Sequence, residues 1–232
     1  MNWKNSNGVL PDRPTPSGAL MFYQPFTGVV KHLIILNVLM FIGSYVLLGE
    51  PQSDDHLGRL SLALFMPGSA NFEPYQLVTH MFMHGSLGHL AFNMLSLFFF
   101  GPMIELVWGH KRFLFYYLFC GFGAMALHLG VQWWELERAG LDPRQWNGAM
   151  LGASGAVFGV FVAFAYLFPN QIIQLLFPPV AMRAKYFVLI MAVLELFMGV
   201  RGYNTGIAHF AHLGGAIFGF LLILYWSKVR RR

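Results

Sequence analysis

Apolar runs of membrane-spanning length dominate this chain, among them Leu33 to Leu48, Leu90 to Met103 and Phe113 to Leu129, and a few polar side chains are set inside them. A soluble protein of 232 residues can bury one or two cores, but it cannot hide runs of that length. Charged residues make up only 11% of the chain, where an ordinary soluble domain carries roughly a quarter. The class that follows is a single-domain, all-α membrane protein. Its one cysteine, Cys120, lies inside an apolar run, which excludes an intramolecular disulfide or a cysteine-rich metal site and marks a small core residue.

Runs of spanning length predict six helices, near 29–48, 84–104, 112–130, 154–168, 186–200 and 207–226. The formal net charge of +5 does not point to nucleic acid, because the charge is distributed by membrane side. Of fifteen Lys and Arg, eleven fall in the tail and first junction (Lys4, Arg13, Lys31), the second-to-third loop (Lys111, Arg112), the fourth-to-fifth loop (Arg183, Lys185) and the C-terminus (Lys228, Arg230, Arg231, Arg232). Arg59, Arg138, Arg144 and Arg201 fall on the other side. The positive-inside rule then makes both termini cytoplasmic, with even-numbered helices running from outside to inside. Residues 1–28, with Pro11, Pro14 and Pro16, read as a short flexible cytoplasmic tail without a cleavable signal, 29–226 as the helical domain and 227–232 as a basic cytoplasmic C-terminus. The long loop 49–83 carries Leu60, Leu62, Leu64, Phe65 and Met66 and is expected to lie in the outer interface. Trp133, Trp134 and Trp146 are expected in the next outer loop as aromatic anchors.

Polar groups inside spans are costly, so each requires an account. His89 and Asn93 are four residues apart on one face of the second span, Ser154 opens the fourth, and His212 sits near the start of the sixth. All four fall in outer halves of helices that start outside. Gly155-x-x-x-Gly159 follows the serine and Gly215-x-x-x-Gly219 follows the histidine, so each helix has a small-residue face where backbones can approach closely. That approach would bring Ser154 to His212. A serine whose proton an imidazole can accept is a nucleophile, and His89, Asn93 and the Ser154 backbone N–H would supply donors to a tetrahedral oxyanion. Gly-Ala-Ser-Gly is not the Gly-x-Ser-x-Gly elbow of α/β-hydrolases. Glu105 near the inner end of span two and Glu195 mid-span in five are expected to lie away from the pocket, leaving a Ser-His dyad as the simpler arrangement. A metal on His80, His84 and His89 is the rival reading, but the Glu of His-Glu-x-x-His is missing, so no metal and no cofactor are expected. His209 reads as a satisfied partner at the pocket rim, and His32, His56, His110 and His128 as solvated groups at span ends or loops. Phe98 to Phe100, Met81 and Met83 read as packing or lipid-facing residues.

His84-x4-His89-x3-Asn93, Gly152-Ala153-Ser154-Gly155 and Ala211-His212-x2-Gly215, in that order on spans two, four and six, resemble the three signatures of the rhomboid family of intramembrane serine proteases. The resemblance extends from about Val29 to Trp226. It implies a six-transmembrane-helix bundle with Ser154 as nucleophile, His212 as base and His89 with Asn93 in the oxyanion site, supported by His84, Gly152, Gly155, Phe158 and Gly215. It also implies a bacterial-type protein of the cytoplasmic (inner) membrane whose site opens to the outside. Its partners would be the lipid bilayer and single-span membrane proteins cut near the outer end of their helix, with no nucleic acid. His84 and Glu105 look like structural hydrogen-bonding positions of that family. Two positions depart from it: Phe158 stands where several relatives have tyrosine, and Gln76 stands where an arginine is usual, which leaves the pinning of the outer loop open. A catalytically inactive chaperone or adaptor on the same scaffold is the alternative, and it would require loss of the serine or histidine. A transporter would require inverted repeats and broken helices, which the sequence lacks.

Overall fold

The computed structural model describes residues 28–50, 57–175, 179–201 and 208–229. Seven α-helices form among them: α1 (Gly28–Leu48), α2 (Gln76–Thr79), α3 (Leu87–Trp108), α4 (His110–Arg138), α5 (Ser154–Leu167), α6 (Ala184–Val200) and α7 (His209–Val229). Each of the six predicted apolar segments is a helix, and α2 is an extra turn in the long first loop. By length and composition, α1, α3, α4 and α7 can cross a bilayer, whereas α5 and α6 have only 14 and 17 residues. An antiparallel hairpin, β1 (Ile172–Gln174) with β2 (Ala181–Arg183), qualifies the all-α expectation. Of the predicted tail, 1–27 lie outside the described residues while Gly28 already opens α1, and α7 runs on to Val229, so 227–229 are helical.

Local chemistry sets the helix ends. Span two begins at Leu87 and not at 84, because the Ser86 hydroxyl caps α3 by accepting from the His89 N–H at 3.1 Å. The far end of α3 brings Glu105 to the start of α1, where its carboxylate accepts from the N–H groups of Val29 (2.6 Å) and Val30 (3.1 Å). An acid is well placed there, since the open N–H groups and the helix dipole both favour negative charge. His110 also contacts Glu105, so it is exposed but not unpartnered. His128 is a correction: α4 is 29 residues long and the histidine lies half-buried inside it. The same extension makes Trp133 and Trp134 helical, with Arg138 over the Trp134 ring, where a loop was expected.

The first loop is also corrected. Ala63, Leu64, Phe65 and Met66 are buried inside the protein and do not lie at an interface with lipid. Their burial is possible because the polar backbone finds partners, without which it would cost several kcal/mol. Leu64 and Met150 exchange both backbone hydrogen bonds at 2.8 Å. The buried Gln76 amide accepts from the Phe65 N–H at 3.3 Å and donates to the carbonyls of Asn71 (2.9 Å) and Ser61 (3.0 Å). Gln76 therefore pins the loop. Arg59 is likewise no solvated charge, as its guanidinium lies over Tyr45 and donates to the carbonyls of His84 (3.3 Å) and Gly85 (3.4 Å), holding the approach to α3.

Helix α5 is the most enclosed of the set, packed among α3, α4, α6 and α7. Its contact with α7 is backbone on backbone: a Cβ on Gly215 would stand 1.8 Å from the Gly155 carbonyl oxygen. Gly159 faces Cys120, which is buried as a small core residue, and the Gly159 carbonyl accepts from the Tyr116 hydroxyl at 2.8 Å. Close approach through small residues is how membrane helices gain packing contacts.

Candidate active site

Gly152 has φ +127°, a region that L side chains avoid, and a Cβ there would lie 2.8 Å from the His89 ring. Its N–H is held by the His80 carbonyl at 2.9 Å. This bend delivers Ser154 as the first residue of α5. No side chain caps the helix, so its first-turn N–H groups have no partner within it. The buried His80 ring bonds the Gln76 carbonyl at 2.7 Å, and burial lowers its pKa from the usual value. It serves the fold.

From the first turn of α7, His212 places Nε2 2.8 Å from the Ser154 hydroxyl oxygen. Beneath the imidazole, Phe158 stacks at 4.3 Å between centroids and 7° between planes. Phe158 is one turn after Ser154, so a single face of α5 carries the hydroxyl and the support for the ring. Ser154 is partly accessible and His212 is 9% exposed, so the pair is sheltered without being sealed.

The expectation that no acid lies near His212 is wrong. Glu195 Oε1 is 3.0 Å from His212 Nδ1, an ion-pair distance without hydrogen-bond alignment, and Oε2 is 2.7 Å from His209 Nδ1. Glu195 stands five residues before the end of α6 and His212 three after the start of α7, a depth difference of only about 3 Å at 1.5 Å per residue. A glutamate side chain spans that easily. The signal was present in the sequence as a carboxylate in an apolar helix, which needs a partner. His209 is the satisfied rim residue expected of it.

His89 and Asn93 share a face of α3, with the His89 ring against Gly152. The buried Asn93 amide donates to the His89 carbonyl at 3.1 Å, which leaves its second N–H hydrogen unassigned. His84 is fully buried and meets His89 edge-on at 5.0 Å. The structure thus gathers His84, His89, Gly152, Ser154, Gly155, Phe158, His212 and Gly215 where α3, α5 and α7 begin, and adds Glu195. No group of three His, Cys, Asp or Glu able to hold a metal occurs among the described residues.

Residues 71–229 match the Rhomboid domain family. The chain is 28% identical to Rhomboid protease AarA of Providencia stuartii over 202 residues, covering 85% of this chain and 72% of that one. It is 32% identical to the Bacillus subtilis (strain 168) rhomboid protein YdcA over 207 residues, covering 88% and 92%. Rhomboid-like protease 3 of Toxoplasma gondii is 24% identical over 200 residues, covering 84% and 68%.

Proposed function

The chain belongs to the rhomboid family of intramembrane proteases, and on that premise we propose that it is a serine endopeptidase working through Ser154 and His212. The observation that carries this reading is the 2.8 Å contact between the Ser154 hydroxyl and His212 Nε2 across two helices. In the reaction His212 Nε2 takes the hydroxyl proton as Oγ adds to the scissile carbonyl. The same nitrogen returns that proton to the departing amine, leaving an acyl-serine. Water then adds with its proton passing to His212, and the acid product leaves as the proton goes back to Oγ. At both tetrahedral stages the negative oxygen is held by the Ser154 N–H at the start of α5, with His89 and Asn93.

The substrates are single-span membrane proteins, cut near the outer end of their helix where the backbone can unwind. A helix hides its carbonyls in its own hydrogen bonds, so only an unwound stretch can offer one to Ser154. Residues 29–226 form a six-span domain in this reading, with α5 and α6 as the short spans, both termini cytoplasmic and the site open to the outside. The distribution of Lys and Arg supports this topology, and the bacterial inner membrane is the compartment proposed.

Incubating the purified protein with a labelled single-span substrate tests the reading. Wild type is expected to release two fragments and Ser154→Ala none, with mass spectrometry locating the cut. Absence of cleavage by wild type would favour an inactive adaptor on this scaffold, and equal cleavage by Ser154→Ala would remove Ser154 as the nucleophile.

A further inference from the structure

We infer that Glu195 is a positioning residue that holds His212 in the tautomer and orientation the reaction needs. This rests on the proposed roles of Ser154 and His212 and extends the pair to three groups. For Nε2 to accept the Ser154 proton, the neutral ring must carry its own proton on Nδ1. Nδ1 faces Glu195 Oε1 at 3.0 Å, and among the described residues it has no other partner. The carboxylate has two acceptor oxygens, and the second is occupied by His209 Nδ1 at 2.7 Å. His209 thereby fixes the carboxylate on which His212 relies. The two histidines are three apart on one face of α7, and the Glu195 side chain is only 12% exposed, so water competes little for it.

An ionised acid so enclosed in an apolar helix is costly unless paired. A lone acid on α6 has no packing use that leucine would not serve, whereas an acid bridging both histidines orders the base and stabilises its protonated form once Ser154 has given up its proton. The remaining side of His212 lies on Phe158, so stacking sets the ring plane and Glu195 sets its rotation within that plane.

The test compares wild type, Glu195→Leu and Ser154→Ala on one labelled single-span substrate, together with nitrogen-15 NMR of histidine-labelled wild-type protein. Leucine is chosen over glutamine because an amide keeps one acceptor and would satisfy one histidine by chance. In Glu195→Leu kcat is expected to fall about ten- to a thousandfold with KM unchanged, since the residue acts on the base and not on the substrate. The wild-type spectrum is expected to show His212 protonated on Nδ1, whether or not Glu195→Leu folds. Unchanged kcat in folded Glu195→Leu, or His212 carrying its proton on Nε2 in wild type, overturns the inference. Cleavage indifferent to Ser154→Ala sinks the proposed serine chemistry itself, an outcome separate from Ser154-dependent cleavage that ignores Glu195.

Discussion

Gly215→Ala probes how much of the chemistry depends on the distance between two backbones. The new methyl carbon would stand 1.8 Å from the Gly155 carbonyl oxygen and 2.6 Å from its carbon, both backbone atoms that cannot swing aside. Reaching the 3.0 Å below which Cβ contacts essentially never occur requires α5 and α7 to part by about 1.2 Å. Gly155 adjoins Ser154, and Gly215 lies on the His212 face three residues on, so the displacement reaches both groups nearly undiminished. Their 2.8 Å contact opens to about 4 Å, beyond hydrogen-bond range. A misplacement of about 1 Å can cost on the order of a hundredfold in rate, and overpacking costs about 1–3 kcal/mol in stability. Both losses are expected in Gly215→Ala, read as the rate of Ser154 labelling by a serine-directed phosphonate and as thermal unfolding in detergent. Gly43→Ala in α1, with nothing within 4 Å of the added carbon, is the control and is expected to keep wild-type labelling. If Gly215→Ala labels at the wild-type rate and unfolds at the wild-type temperature, helix contact does not set the Ser154–His212 geometry.

Replacing His89 or Asn93 by alanine is expected to lower turnover by about a hundredfold or less each, a smaller loss than Ser154→Ala, because each would supply one of several oxyanion donors; a folded double variant with normal turnover would reject the role. Gln76→Ala strands the Phe65 N–H and the carbonyls of Ser61 and Asn71, so about 1–3 kcal/mol or more of stability should be lost in thermal or denaturant unfolding. Unaltered stability would mean that the loop before α3 is held by other contacts.

Reading the chain as a string located the helices well, since apolar length is a local property and lipid leaves the backbone little choice but to satisfy itself within each segment. The approach of Ser154 to His212 was legible for a related reason: each residue is followed by paired glycines, and small faces on two helices have one economical use, to meet. Glu195 was not legible, although its presence in an apolar helix announced an unmet cost. Helical periodicity gives depth along an axis; it does not say which neighbour a side chain faces, so an acid judged mid-span looked remote from a histidine that stands only about 3 Å away in depth. The inward turn of Ala63 to Met66 was hidden too, because the groups that make it affordable lie elsewhere in the chain, Met150 beyond three helices and Gln76 in a turn too short to predict. Composition and spacing therefore settle which residues need partners, while packing between distant segments decides which partners they find, because burial and hydrogen bonding are satisfied in space and not along the chain.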